Sequence, residues 1–201
     1  MDAKVVDQYS KEISSTPLNC SGSQGIWLFV FIDMLVYGLI FMVYLLERSG
    51  SYEVYSQSQM TLNKEVGLIN TIILLSSSWC MVRAVKSVRY GSVSQTKLYM
   101  RLALFGAILF CSLKVFEYYL KFDSGVDIIS NPFFTFYFFM TFVHLTHVIA
   151  GMVFILVISN GLNDKNILSI GTRKSVENIA LFWHYVDVLW LYIFALLYLV
   201  V

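Results

Sequence analysis

Five apolar stretches, each of about twenty residues or more, set the terms on which this chain folds. They run from Gly25 to Leu46, Val66 to Val85, Leu102 to Leu120, Phe133 to Ser159 and Asn178 to Val200. Each is long enough to cross the hydrocarbon core as a helix, and none alternates with the period of a barrel strand. In lipid the backbone must satisfy its own hydrogen bonds, so the spans are expected to be helical. The chain is 58 % hydrophobic and 13 % charged, with a mean hydropathy of +0.69. A soluble domain runs nearer ~45–50 % apolar and ~25 % charged. The expected fold is therefore an all-α integral membrane bundle of five transmembrane helices, formed by residues 25–201. Residues 1–24 are expected to be a polar tail, because they lack the apolar core of a signal peptide.

Positive charge is unevenly shared between the two sides. One side carries Lys4, Lys11, Arg83, Lys86, Arg89, Lys97, Arg101, Lys165, Arg173 and Lys174, and the other only Arg48, Lys64 and Lys121. Cytoplasmic loops are enriched in Lys and Arg. The N-terminus is thus expected in the cytoplasm and the C-terminus in the periplasm. Short loops suggest that consecutive helices are antiparallel neighbours. A net charge of +1 gives no reason to expect nucleic acid. Cys20, Cys80 and Cys111 lack metal-site spacing, and a disulfide framework is not expected.

The informative residues are ionisable groups inside the spans, which are costly in lipid and face partners within the bundle. They are Asp33, Lys114, Glu117, His144, His147, His184 and Asp187. At ~1.5 Å per residue, Asp33, His147, His184 and Asp187 lie within about 9–18 Å of the inner ends of their helices. The spacing lets these four meet. Glu117 lies in the outer half, with Lys114 as its i−3 partner. Tyr137, Met140, His144, His147 and Gly151 form one stripe, as do Ile26, Phe29, Asp33, Tyr37, Ile40 and Tyr44. Gly38, Gly67, Gly106 and Gly151 are expected to permit close helix approach. Trp183 and Trp190 flank His184 and Asp187 and offer indole donors. Three uses of the His/Asp set stay open. One is an interhelical packing network, the second a proton-handling or lipid-headgroup role, the third a metal site using His-x-x-His and His-x-x-Asp.

Four motifs carry a resemblance. "FWHYVDVLWLYIFALLYL" resembles the last helix of subunit III of haem-copper oxidases, with its W-H-[FY]-[VL]-D-V-[VL]-W pattern. "THVIAGMVF" is similar to that family's H-x-x-H-V-x-x-G stretch, and "KVFEYY" to the E-Y at the end of its third helix. "GIWLFVFIDMLVYG" resembles the first helix of the five-span form, with an acid at Asp33. The similarity covers residues 24 to 199. "LINTIILLSSSW" and "PFFTFYFFMTFVHLTHVIAG" resemble the short members associated with nitric oxide reductase.

The resemblance implies a non-catalytic accessory subunit with no catalytic centre of its own. It would pack on catalytic subunit I of a haem-copper oxidase or nitric oxide reductase, in a bacterial inner membrane. It would bind phospholipid between its helices and support proton uptake and sustained turnover. This chain would bind no metal or haem; haem and copper or iron would sit in the partner, for three histidines are too few for a catalytic subunit. The alternative is an independent small membrane metalloprotein or transporter using the His/Asp cluster.

Overall fold

The computed structural model describes residues 22–199. Most of the polar tail, with Lys4, Lys11 and Cys20, and the last two residues lie outside the described residues. Six helices follow one another: α1 (Gln24–Gly50), α2 (Tyr52–Met60), α3 (Lys64–Arg89), α4 (Val93–Asp123), α5 (Pro132–Gly161) and α6 (Ile170–Phe194). The last continues through a π-helical turn, Ala195–Leu199. Five of the helices are long and apolar enough to cross a membrane. These are the five expected spans, lengthened most at the starts of α4 and α6.

Local chemistry sets the helix boundaries. Asn63, Asn131 and Ser169 cap α3, α5 and α6 by accepting backbone N–H groups of their first turns. Pro132 opens α5, where its missing N–H costs nothing. Gly91 stops α3 at φ +70°. Its N–H donates to Val88 O and that of Ser92 to Ser87 O, the two bonds of a Schellman motif.

α3, α4, α5 and α6 form a closed up-down ring in which each packs against the next and α6 returns to α3. Contact across α3 and α6 runs antiparallel. A Cβ on Gly67 would strike the Phe194 ring, and further along α3 the side chains of Thr71, Ser77 and Ser78 meet Trp190, Trp183 and His184. Gly106 lies tight against Ser77, and Gly151 against Trp183. Close approach through small residues is how membrane helices gain contact when lipid is as apolar as the helix. α6 is the central element, with 61 % of its most apolar window buried against 11 % for α1.

Three expectations change here. α1 does not pack on α3, the next span, but lies outside the ring on α5 and α6. The first connection is also not a plain loop. It contains α2, which wedges Tyr55 between Tyr44 and Phe133 and carries the chain across the bundle end. Burial, with Glu47 and Tyr44 nearby, pushes the Tyr55 phenol up to about 12, so it stays neutral. Nine residues of mixed polarity are too short for a span and carry no strong apolar period, so α2 left little trace in the pattern. Gly38 is the other departure, because nothing lies within 4 Å of where its Cβ would be.

Candidate functional site

Asp33 is the point where α1 is tied to the ring. Its Oδ2 accepts the Tyr185 hydroxyl at 2.7 Å and lies 3.2 Å from His147 Nε2. The other ring nitrogen, His147 Nδ1, is 2.8 Å from Val143 O. A carbonyl oxygen only accepts, so Nδ1 carries a proton. Nε2 then faces the Asp33 carboxyl across that gap, and a shared proton would close it as a hydrogen bond. α1, α5 and α6 each contribute one member. Asp33 and His147 thus meet as the spacing allowed, and Tyr185 is a partner that the sequence reading missed.

His184 and Asp187 do not join them. His184 Nδ1 pairs with Ser78 Oγ at 2.6 Å, which turns this histidine toward α3. Asp187 is buried on the same face; it lies beside Ser78, and its carboxyl oxygens make no hydrogen bond of good geometry. The tryptophans follow the same seam. Trp183 Nε1 donates to Ser77 Oγ at 3.1 Å and Trp190 Nε1 to Thr71 Oγ1 at 3.0 Å. Ser77 Oγ donates in turn to Ala103 O on α4, so one hydroxyl joins three helices. The hydrogen bonds of His184, Trp183 and Trp190 therefore go to α3, not to α5 and α1. The sequence signal for it was the run Ser76-Ser77-Ser78 with Thr71, small hydroxyls of the kind that bond across membrane helices.

A second polar centre lies in the other half of the bundle. Lys114 Nζ donates to Glu117 Oε2 at 2.9 Å and to the Tyr198 hydroxyl at 3.0 Å, and that hydroxyl donates to Glu117 Oε1 at 2.6 Å. The ammonium also lies 4.8 to 5.4 Å from the ring centres of Trp190, Tyr137 and Tyr198. Aromatic faces offset part of its lost hydration. The π turn at the end of α6 carries Tyr198. His144 is fully buried between Phe110 and Trp190, and among the described residues neither of its ring nitrogens has a hydrogen-bond partner. The two histidines of His-x-x-His thus diverge, His144 into the core and His147 toward α1. Among the described residues no three His, Cys, Asp or Glu side chains converge as a metal site would require.

Two grooves flank α1. One, of about 640 Å³, runs between α1, α5 and α6 from His147 past Phe154 and Phe182 to Ser175 and Asn178. The other, of about 450 Å³, lies between α1 and α6 and includes His184.

The sequence compares with known proteins along nearly its whole length. Residues 18–201 match the family model described as cytochrome c oxidase subunit III. The chain is 30 % identical over 175 residues to a cytochrome c oxidase subunit 3 of Thermostichus vulcanus, covering 87 % of this chain and 85 % of that one. It is 25 % identical to a probable quinol oxidase subunit 3 of Staphylococcus saprophyticus, over 99 % of this chain and 96 % of the other. It is also 27 % identical to part of a protein from Aeropyrum pernix called haem-copper oxidase subunit I+III, over 88 % of this chain and 22 % of the longer protein.

Proposed function

The chain belongs to the cytochrome c oxidase subunit III family, and on that premise we propose that it is a non-catalytic accessory subunit bound to catalytic subunit I of a respiratory haem-copper oxidase. The observation that carries the partnership is the Aeropyrum pernix relative. Its name places a stretch similar to this chain in one polypeptide with a subunit I. Haem, and copper or iron, belong to the partner, which also decides whether oxygen or nitric oxide is reduced. The complex sits in a bacterial inner membrane.

The geometry supports two roles within this reading. The larger groove holds a phospholipid, with the polar pair Ser175 and Asn178 at its mouth and Phe154 and Phe182 along the acyl chain. Arg173 and Lys174 stand in the preceding turn of α6, where an anionic headgroup gains most from them. Asp33 and His147 hold one proton at the deep end of this groove. Exchange of that proton is the step by which the subunit supports proton uptake by its partner. The rest of the polar set, from Ser77 with Trp183 to Lys114 with Glu117, fixes helix register.

The experiment is to solubilise native membranes gently, capture a tagged full chain and record its visible spectrum. A haem-bearing catalytic subunit should co-purify, and every haem band should leave with it when the subunits are separated. A haem spectrum on the fully separated chain, or capture with no haem protein at all, overturns the accessory reading.

A further inference from the structure

The smaller groove, between α1 and α6, plays no part in the accessory role. We propose that it is a binding site for a neutral, lipid-soluble ring carrying carbonyl or hydroxyl groups, the chemical class of isoprenoid quinones, with His184 as its hydrogen-bonding anchor.

Depth selects the class first. His184 is six residues beyond Asn178, about 9 Å deeper than the polar pair at the mouth of the larger groove and so below the headgroup level. A phospholipid or sterol keeps its polar group at the interface and brings only hydrocarbon to this level. A ring whose oxygens are its only polar atoms, on an apolar tail, brings polar atoms here. Charge agrees with this. No Lys, Arg, Asp or Glu lines the groove, so an anionic headgroup finds no counter-ion there.

His184 is built to meet such a ring. Ser78 fixes Nδ1, while Nε2 has no hydrogen-bond partner among the described residues, and the side chain borders the groove. Holding one imidazole nitrogen orients the other toward a ligand. Tyr37 adds a further aromatic side chain to the lining. Trp27, Phe41 and Tyr192 add flat aromatic surface to the walls. Gly38 also lines the groove, with open space where a side chain would stand. A mid-helix glycine forgoes about 0.5–1 kcal/mol relative to alanine. Here it keeps room for a ring. The volume of about 450 Å³ falls in the range of small-molecule sites.

The test uses the full chain in nanodiscs, a photoreactive azido-quinone and peptide mapping after illumination. Labels should concentrate on residues 27–41 and 181–192 and fall at least tenfold with excess unlabelled quinone. Gly38→Leu, which fills the groove, and His184→Phe, which removes the anchor, should each cut labelling at least fivefold. If His184→Phe lowers the melting temperature, Gly38→Leu decides alone, because a Cβ at Gly38 meets nothing within 4 Å. Labels scattered over lipid-facing positions such as Phe105 and Phe116, or unchanged by Gly38→Leu, overturn the proposal. So does equal competition by cholesterol or phosphatidylglycerol, which would assign the groove to ordinary lipid. Labelling is read on this chain and partnership by co-purification, so failure of one leaves the other standing.

Discussion

Lys114 and Glu117 show how a charge survives inside a membrane bundle. Both are buried, and each is satisfied by the other and by the Tyr198 hydroxyl. Removing one partner leaves an uncompensated charge, at a cost of about 3–5 kcal/mol, whereas replacing both by apolar groups is often close to neutral. Lys114→Met and Glu117→Leu should therefore each sharply reduce the yield and melting temperature of the solubilised subunit. The double variant should recover most of the loss. Additive losses in a double-mutant cycle would show that the two act separately. Asp33 calls for a different comparison. An asparagine there can donate to His147 Nε2 and accept from Tyr185, so Asp33→Asn keeps the tie to α1 but cannot share a proton. Asp33→Ala loses both. If the proton matters, Asp33→Asn should assemble like wild type while shortening sustained turnover of the partner enzyme as much as Asp33→Ala does. Turnover of Asp33→Asn equal to wild type would leave only a packing role.

The helices were legible from span length and polarity, but their pairing was not. Helical spacing showed that His184 and Asp187 share a face of α6, yet not which helix that face meets. The answer lay in Thr71, Ser77 and Ser78. Hydroxyls in membrane helices often bond their own preceding turn, as Thr71 does to Gly67 O and Ser76 to Ile72 O. Sequence alone therefore does not tell a hydroxyl that reaches across from one that folds back. Tyr198 was hidden for another reason, since its aim depends on the π turn at the end of α6. The glycines separate in the same way. A Cβ on Gly151 would stand 2.7 Å from the Trp183 ring, whereas one on Gly38 would meet nothing. Gly151→Val should destabilise through overpacking, by about 1–3 kcal/mol. Gly38→Ala should be neutral or stabilising by up to ~1 kcal/mol. Thermal unfolding of both variants in one detergent checks the contrast, and equal effects would mean that α1 sits closer to the ring than described here.

At the scale of the whole molecule the open question is which face meets the cytoplasm, and charge and structure bear on it together. Arg89 at the end of α3 and Arg173 near the start of α6 both hold Glu177, at 2.8 and 3.3 Å. The loop between α3 and α4 and the loop between α5 and α6 therefore share one face, as the charge count assumed when it grouped them. On the other face Lys121 is spent on Thr61 O at the turn between α2 and α3. Asn131, which caps α5 on that face, donates to Ser58 Oγ of α2. α2 thus closes the end that is poor in positive charge, and the basic residues crowd the opposite end. Retention of Lys and Arg on the cytoplasmic side orients such a bundle with its N-terminus inside. With five spans the C-terminus then emerges on the far side. Alkaline phosphatase fused after residue 201 should be active, and the same enzyme inserted near Ser92 should be silent. In this orientation the mouth of the larger groove, at Ser175 and Asn178, would face the cytoplasm, as the proposed role in proton uptake requires. Activity of the Ser92 fusion with silence of the C-terminal one would invert the bundle and detach Asp33 and His147 from any cytoplasmic proton supply through that groove.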